Sequence, residues 1–277
     1  MQDKDWIEVH ETAFVTSMYR ASNEGLSKDT YAKLWSNPKT YKWIEGFLEH
    51  VSEEEPYAHC LRNRYFYEFV KANNNIEVVI NFGCGFSMYP FLLDDHLIHI
   101  EIDLPNIIEH KKAKVNDWTA SGDLPKRNIH YISSDFSSRY EGELLRKIHS
   151  ITNHKRSLII LEGVLFFLNM EQTKRLFRFF NAIQTKGDYI GSVSFQDSIR
   201  TTEVFERLVN FFQDKTEENR EFICQTLPDS FYETISDYNL IEHQDYYSLS
   251  KAYAPNKITK KPKDVLNEHV YILRKIE

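Results

Sequence analysis

Cysteine is scarce and scattered. The 277 residues contain three, Cys60, Cys84 and Cys224, with no CxxC pair and no Cys/His ligand spacing. Neither a disulfide framework nor a zinc site is expected, and no metal is assigned to the chemistry. Long apolar runs are also missing. No stretch approaches the ~20 residues that span a bilayer, so no membrane partner is expected. Met1-Gln2-Asp3-Lys4-Asp5 lacks a basic segment leading into an apolar one, so no signal peptide is expected. A reducing, cytoplasmic setting is the default. Positive charge is not in excess: 34 Lys and Arg stand against 41 Asp and Glu, a net of −7. A nucleic-acid partner is therefore disfavoured. Internal repeats and low-complexity segments are absent.

Aromatic residues are plentiful, at 14%, with 19 Phe and 16 Tyr. Most should simply pack. The remainder suit a pocket for a flat or apolar small molecule. The length fits one large domain, or a domain with an elaborated cap.

Residues 1–72 read as helical. Apolar positions recur at helical spacing over Thr12–Arg20, Tyr41–Val51 and Tyr57–Ala72, with a short helical face at Tyr31, Leu34 and Trp35. From Ile76 the rhythm becomes strand, turn, helix. Strands are expected at Glu77–Phe82, Leu97–Asp103, Asn128–Ser133, Ser157–Leu161 and Tyr189–Phe195. Helices are expected from Pro105 to about Val115, over Glu141–His149 and over Met170–Gln184. Such alternation predicts a mostly parallel sheet with helices on both faces. Residues 197–225 read as a helical insertion over the cleft, Pro228–Tyr238 as a further helix, and Leu240–Leu249 and His269–Leu273 as closing strands. Lys257 to Lys263 reads as a solvated hairpin loop.

One stretch organises the rest. Glu77-Val78-Val79-Ile80-Asn81-Phe82 is a buried strand running into Gly83-Cys84-Gly85, a turn that lets a ligand approach bare backbone. The next strand ends in Asp103, placed for a ribose diol in a doubly wound sheet. Glu101 shares its strand face, but Asp103 lies nearer the carboxyl end. Asp135 follows the third strand. It can accept from an adenine amino group or cap a helix, and Phe136 offers a ring face or an amide. Glu162 ends the fourth strand among apolar neighbours, where a lone acid needs a cation, either in the protein or on a ligand. Arg62 or Arg64 could clamp a ligand carboxylate. The third glycine of a dinucleotide fingerprint is missing, at Met88 or Tyr89. A phosphate-free cofactor fits better, and S-adenosylmethionine is the expectation.

The chain resembles the leucine carboxyl methyltransferase family, whose bacterial members include polyketide carboxyl and hydroxyl O-methyltransferases. The resemblance runs over about residues 11–195. It is carried by Thr12 to Ala21, Arg62-Asn63-Arg64, Val79 to Gly85, Ile100 to Pro105, Ser134-Asp135-Phe136 and Leu161 to Leu168. It implies a Rossmann-like class I methyltransferase. Residues 1–75 would form a helical cap, and residues 76–277 the cofactor domain with a lid insertion at 197–230. It also implies that Arg62 holds the cofactor carboxylate, Gly83 and Gly85 line its amino acid part, and Asp103 takes the ribose. Asp135 and Phe136 would take the adenine and Glu162 the amino acid end. Two departures stand out. Phe86-Ser87-Met88 follow Gly85 where the family has Asp and often Thr. Tyr19 and Arg20 stand where the phosphatase-directed enzymes use a lysine, so a protein substrate is not carried over.

The expected activity is metal-independent methyl transfer to a carboxylate or hydroxyl of a small natural product, polyketide-like in kind. A homodimer is left open. A carboxylate acceptor needs no base, whereas a hydroxyl would want one. His10, His59 and Tyr19 are the candidates, and none is preferred. Arg20 would bind an acidic acceptor or pair with Glu24. The alternatives are a cofactor-binding scaffold without activity and an NAD-dependent oxidoreductase.

Overall fold

The computed structural model describes residues 9–214, 222–257 and 262–277. Four helices come first: α1 (Val9–Ala21), α2 (Glu24–Ser27), α3 (Tyr41–His50) and α4 (Glu55–Ala72). The alternating part then runs β1 (Val78–Phe82), α5 (Tyr89–Leu92), β2 (Ile98–Asp103), α6 (Pro105–Ser121), β3 (Ile129–Ser133), α7 (Glu141–Thr152), β4 (Ser157–Leu161), α8 (Met170–Ile183) and β5 (Tyr189–Gln196). The chain closes with α9 (Glu203–Gln213), β6 (Thr226–Leu227), β7 (Tyr238–Asp245), α10 (Tyr246–Tyr253) and β8 (His269–Lys275). None of the described helices is long and apolar enough to cross a membrane.

The main sheet is ordered β3-β2-β1-β4-β5-β8-β7, with β6 paired to β5. The first five strands are parallel, and β8 runs antiparallel between β5 and β7. Every residue of β1 and β4 is buried, as strands covered on both faces must be. Alternate residues feed two cores. Val78, Ile80, Phe82, Ile159 and Leu161 pack with α7 and α8 on one face. Val79, Leu158, Ile160 and Val193 pack with α4 and α10 on the other. The strand order reverses between β1 and β4, and that switch point is where a doubly wound sheet opens a crevice. A third cluster, made by α1, α3 and α9, joins Val15, Trp43, Phe47, Val204 and Leu208 with Phe195 of β5.

Several expectations need correction. Helix α6 runs past Val115 to Ser121. Trp118 packs edge-on to Trp35 at 4.7 Å, and Gly122, with φ +87°, ends the helix. Its Lys111 is buried and paired with Glu101. The Tyr31–Trp35 face is a 3-10 turn over Ala32–Trp35. No helix spans Pro228–Tyr238. A single 3-10 turn at Tyr232–Thr234 lets the Tyr232 hydroxyl sit between Ser192 and Ser194, each 3.0 Å away, with its ring stacked on Tyr271. The closing strand does not reach Leu249. Asp245 and Ser248 form a reciprocal capping box that starts α10. The lysine-bearing segment after α10 therefore connects a helix to a strand, and its residues 258–261 lie outside the described residues, as do residues 215–221 of the insertion.

Candidate active site

The turn after β1 is built so that only glycine fits. Gly83 has φ +69° and Gly85 φ +43°, both in the left-handed region. A Cβ on Gly83 would lie 2.1 Å from Val164 Cγ2, in the loop after β4. The amides of Gly83 and Cys84 both donate to Ile102 O, at 2.8 and 3.1 Å. Gly85 N donates to Asp103 Oδ2 at 2.8 Å, tying the turn to the tip of β2. The three unusual residues that follow support it. Ser87 Oγ accepts from Asn81 Nδ2 at 2.7 Å, Phe86 stacks on Trp35 at 4.1 Å, and Met88 Sδ accepts from Trp35 Nε1 at 3.1 Å.

A cavity of about 310 Å³ opens at this rim, the size of a small-ligand site. Arg62, Gly83, Gly85, Asp103, Asp135, Phe136 and Glu162 all line it. They come from α4 and from the ends of β1, β2, β3 and β4. Asp103 also accepts from Leu104 N at 2.8 Å. Burial raises its pKa, opposed by the two amides and by Lys111. Asp135 is exposed and caps a turn, not a helix: Oδ1 accepts from Ser137 N and Oγ at 2.9 and 2.7 Å. Phe136 is half-buried beside Phe82 and Tyr140. A Cβ on Gly163 (φ +67°) would meet nothing within 4 Å, so that stretch of backbone faces open space.

Glu162 has found its cation inside the protein. Arg62 Nε donates to Glu162 Oε1 at 2.8 Å, and Tyr89 Oη donates to Glu162 Oε2 at 2.8 Å. Arg62 Nη1 donates to both oxygens of Glu268, at 2.8 and 2.6 Å. Burial opposes the Arg62 charge, but the two carboxylates outweigh it and hold its pKa above the ordinary value. The expected two-point grip on a ligand carboxylate is thus already taken by Glu162 and Glu268, and Nη2 alone makes no hydrogen bond among the described residues. Arg64 is elsewhere, paired with Glu68. Arg20 does not pair with Glu24: its Nε donates to Asp29 Oδ2 at 2.8 Å and its Nη2 to Phe86 O at 3.0 Å.

Sequence reasoning gave no roles to Thr12, Thr16 and Gln172, which also line the cavity. Glu268 was missed entirely: it lies 206 residues from Arg62, and no local pattern marks it.

A second cavity, of about 130 Å³, adjoins the first and shares Thr12, Thr16, Arg62, Gly163 and Phe167 with it. Trp43, Phe47, Phe166, Phe195 and Phe212 give it aromatic walls. Tyr19, Glu55, His59 and Glu268 supply its polar side. Burial, then Glu268, pushes the Glu55 carboxyl from 4.5 up to about 8, against the pull of Arg62. Burial, then Arg62, holds the His59 pKa well below 6.5. The side chain of His10 lies outside the described residues.

A larger cleft, of about 560 Å³, lies beside edge strand β3 with Lys112, Lys126, Arg127 and Lys147 on its walls. Among the described residues its lining holds no acid and none of the strand tips gathered by the glycine turn. The rim cavity is different in charge. Asp103, Asp135 and Glu162 face it, and its two arginines are already paired. Such a lining suits a ligand carrying positive charge and opposes a pyrophosphate.

A family model described as leucine carboxyl methyltransferase matches residues 11–181. A solved structure described as a putative methyltransferase from Thermobifida fusca aligns with a TM-score of 0.61 at 14% identity, covering 95% of each chain. A duf574 family protein from Streptomyces avermitilis aligns with a TM-score of 0.65 at 12% identity, covering 99% of each chain. A SAM-dependent methyltransferase from Methanosarcina mazei aligns with a TM-score of 0.50 at 13% identity, covering 74% of this chain and 97% of that one. At these identities the likeness speaks for the fold, which is the Rossmann-like α/β arrangement. No curated protein matches the sequence.

Proposed function

The chain belongs to the leucine carboxyl methyltransferase family, and from that premise we propose that it methylates an oxygen of a small natural product, a carboxylate or a hydroxyl of polyketide-like kind. The cofactor is S-adenosylmethionine. It supplies a methyl group on a positively charged sulfur.

The carrying observation is the convergence of seven sequence-marked residues on one acid-lined cavity that adjoins an aromatic one. Asp103 has free lone pairs for a ribose diol, since each oxygen holds only one amide. Asp135 Oδ2 remains to accept from the adenine amino group, with Phe136 beside it. Glu162 and Arg62 meet the amino acid end, with Gly83 and Gly85 presenting backbone. The helices before residue 75 and the 197–230 insertion act as cap and lid over the acceptor. Their job is to hold the acceptor oxygen in line and to exclude water. The acid lining weighs against a dinucleotide, whose pyrophosphate would face three carboxylates.

Isotopically labelled S-adenosylmethionine, incubated with the protein and a panel of carboxylic acids and phenols, tests this reading. Label is expected on an acceptor oxygen. Cofactor binding with no transfer to any member would favour a scaffold instead.

A further inference from the structure

The aromatic cavity contains polar atoms that the protein leaves without partners. Tyr19 is only 3% exposed, yet its hydroxyl makes no hydrogen bond among the described residues. The same holds for Trp43 Nε1, in a side chain 8% exposed. Both residues line the cavity. Buried donors without acceptors are costly, so their presence calls for an occupant that supplies oxygen. His59 stands beside them, its ring edge-on to Tyr19 at 5.2 Å. His59 Nδ1 lies 3.0 Å from Glu55 O. A carbonyl only accepts, so Nδ1 carries the proton and Nε2 keeps its lone pair. Nε2 has no partner among the described residues.

The charges select the acceptor further. Among the described residues Arg62 is the only permanent cation on the lining, and Glu162 and Glu268 already hold it. A carboxylate entering here would be the third around one guanidinium. A neutral hydroxyl meets no such repulsion. Size limits the occupant: about 130 Å³ suits a single ring, since a roughly 150 Å³ apolar cavity takes benzene.

Resting on the O-methyltransferase reading above, we propose that this cavity receives an aromatic hydroxyl, not a carboxylate, with His59 Nε2 taking the hydroxyl proton and Tyr19 and Trp43 hydrogen-bonding the ring's oxygens. The hydroxyl oxygen forms the new C–O bond to the methyl carbon as the C–S bond breaks, and that electron pair stays on sulfur. The proton passes to His59 Nε2 and then to water. Around His59 the ionisable groups are Glu55 and Arg62 on α4, Tyr19 and Arg20 on α1, and Glu268 ahead of β8. Burial and the two arginines keep the ring neutral and able to accept. Glu55 Oε1 lies 3.6 Å from Nδ1 and steadies the protonated ring once it ionises.

The test uses the full chain. With S-adenosylhomocysteine present, 4-ethylphenol and 4-ethylbenzoate are titrated by calorimetry. The phenol is expected to bind at least about tenfold tighter, and Tyr19→Phe to weaken it several-fold. Equal or tighter binding of the benzoate overturns the proposal. In turnover, His59→Gln should lower kcat on the phenol by about 10²–10⁴-fold with KM little changed. An unchanged kcat, or transfer confined to benzoates or anilines, overturns it. Should His59→Gln misfold, the wild-type profile decides: kcat is expected to rise through the Glu55 pKa of about 8 and to lose that limb in Glu55→Gln. A flat wild-type profile overturns it. Failure of the wild type to bind S-adenosylhomocysteine would sink the methyltransferase reading itself, so the two failures are told apart.

Discussion

Gly83 and Gly163 both have a positive φ, +69° and +67°, but differ in what surrounds them. Alanine at either position carries about 1–2 kcal/mol of left-handed strain. At Gly83 it also drives a methyl into Val164. Gly83→Ala should therefore lower the melting temperature more than Gly163→Ala and should abolish cofactor binding, whereas Gly163→Ala folds with a narrowed cavity. Equal thermal shifts in the two variants would contradict this. Glu55 gives a second prediction. Its folded pKa of about 8 lies above the ordinary 4.5, so between those values the folded state holds a proton that the unfolded chain has released. Stability falls as pH rises through that window. Urea midpoints should show the fall in wild type and a shallower one in Glu55→Gln. At this scale Gly83, Asp103 and Glu162 were legible because each ends an apolar strand with a residue that an apolar run does not explain. Arg20 was not. Helix α1 ends at Ala21, so Glu24 is not one turn further along the same helix, and Asp29 returns through the following turn to take its place.

Among the elements, the joint between α6 and β2 is the most exacting. Lys111 and Glu101 are each 1% exposed or less and pair at 2.5 Å, with Lys111 Nζ also 3.4 Å from Cys84 O in the turn. Lys111→Met leaves a buried carboxylate alone and should destabilise the fold by about 3–5 kcal/mol. Adding Glu101→Leu should restore most of that loss. Thermal melts check both, and a double variant no better than the single would count against the pair. The central strands β1 and β4 could be read because burial on both faces demands nearly continuous apolar runs. The stretch after Pro228 could not. Tyr232, Tyr238, Tyr246 and Leu249 are spaced as a helix or strand would space them, but what places them is contact with β5, β8 and α4, and a capping box sets where β7 gives way to α10.

For the whole molecule, the fold follows from a doubly wound sheet whose switch point falls between β1 and β4, and the cavity lies at that point. Helices α1 and α3, α9 of the insertion and Leu266 from the tail share one apolar cluster above it. Occupancy of the cavity should therefore stabilise the protein as a unit. At a hundredfold excess over Kd, a bound cofactor adds about 2.7 kcal/mol, read as a rise in melting temperature of several degrees in one transition. The charge of the cavity decides which cofactor does so. The direct measurement is a calorimetric titration of wild type and Asp103→Ala with S-adenosylmethionine, and of wild type with NAD. Saturable one-to-one binding of S-adenosylmethionine, lost in Asp103→Ala, and no heat from NAD is the expected result. Binding of NAD, or undiminished S-adenosylmethionine affinity in Asp103→Ala, would contradict it.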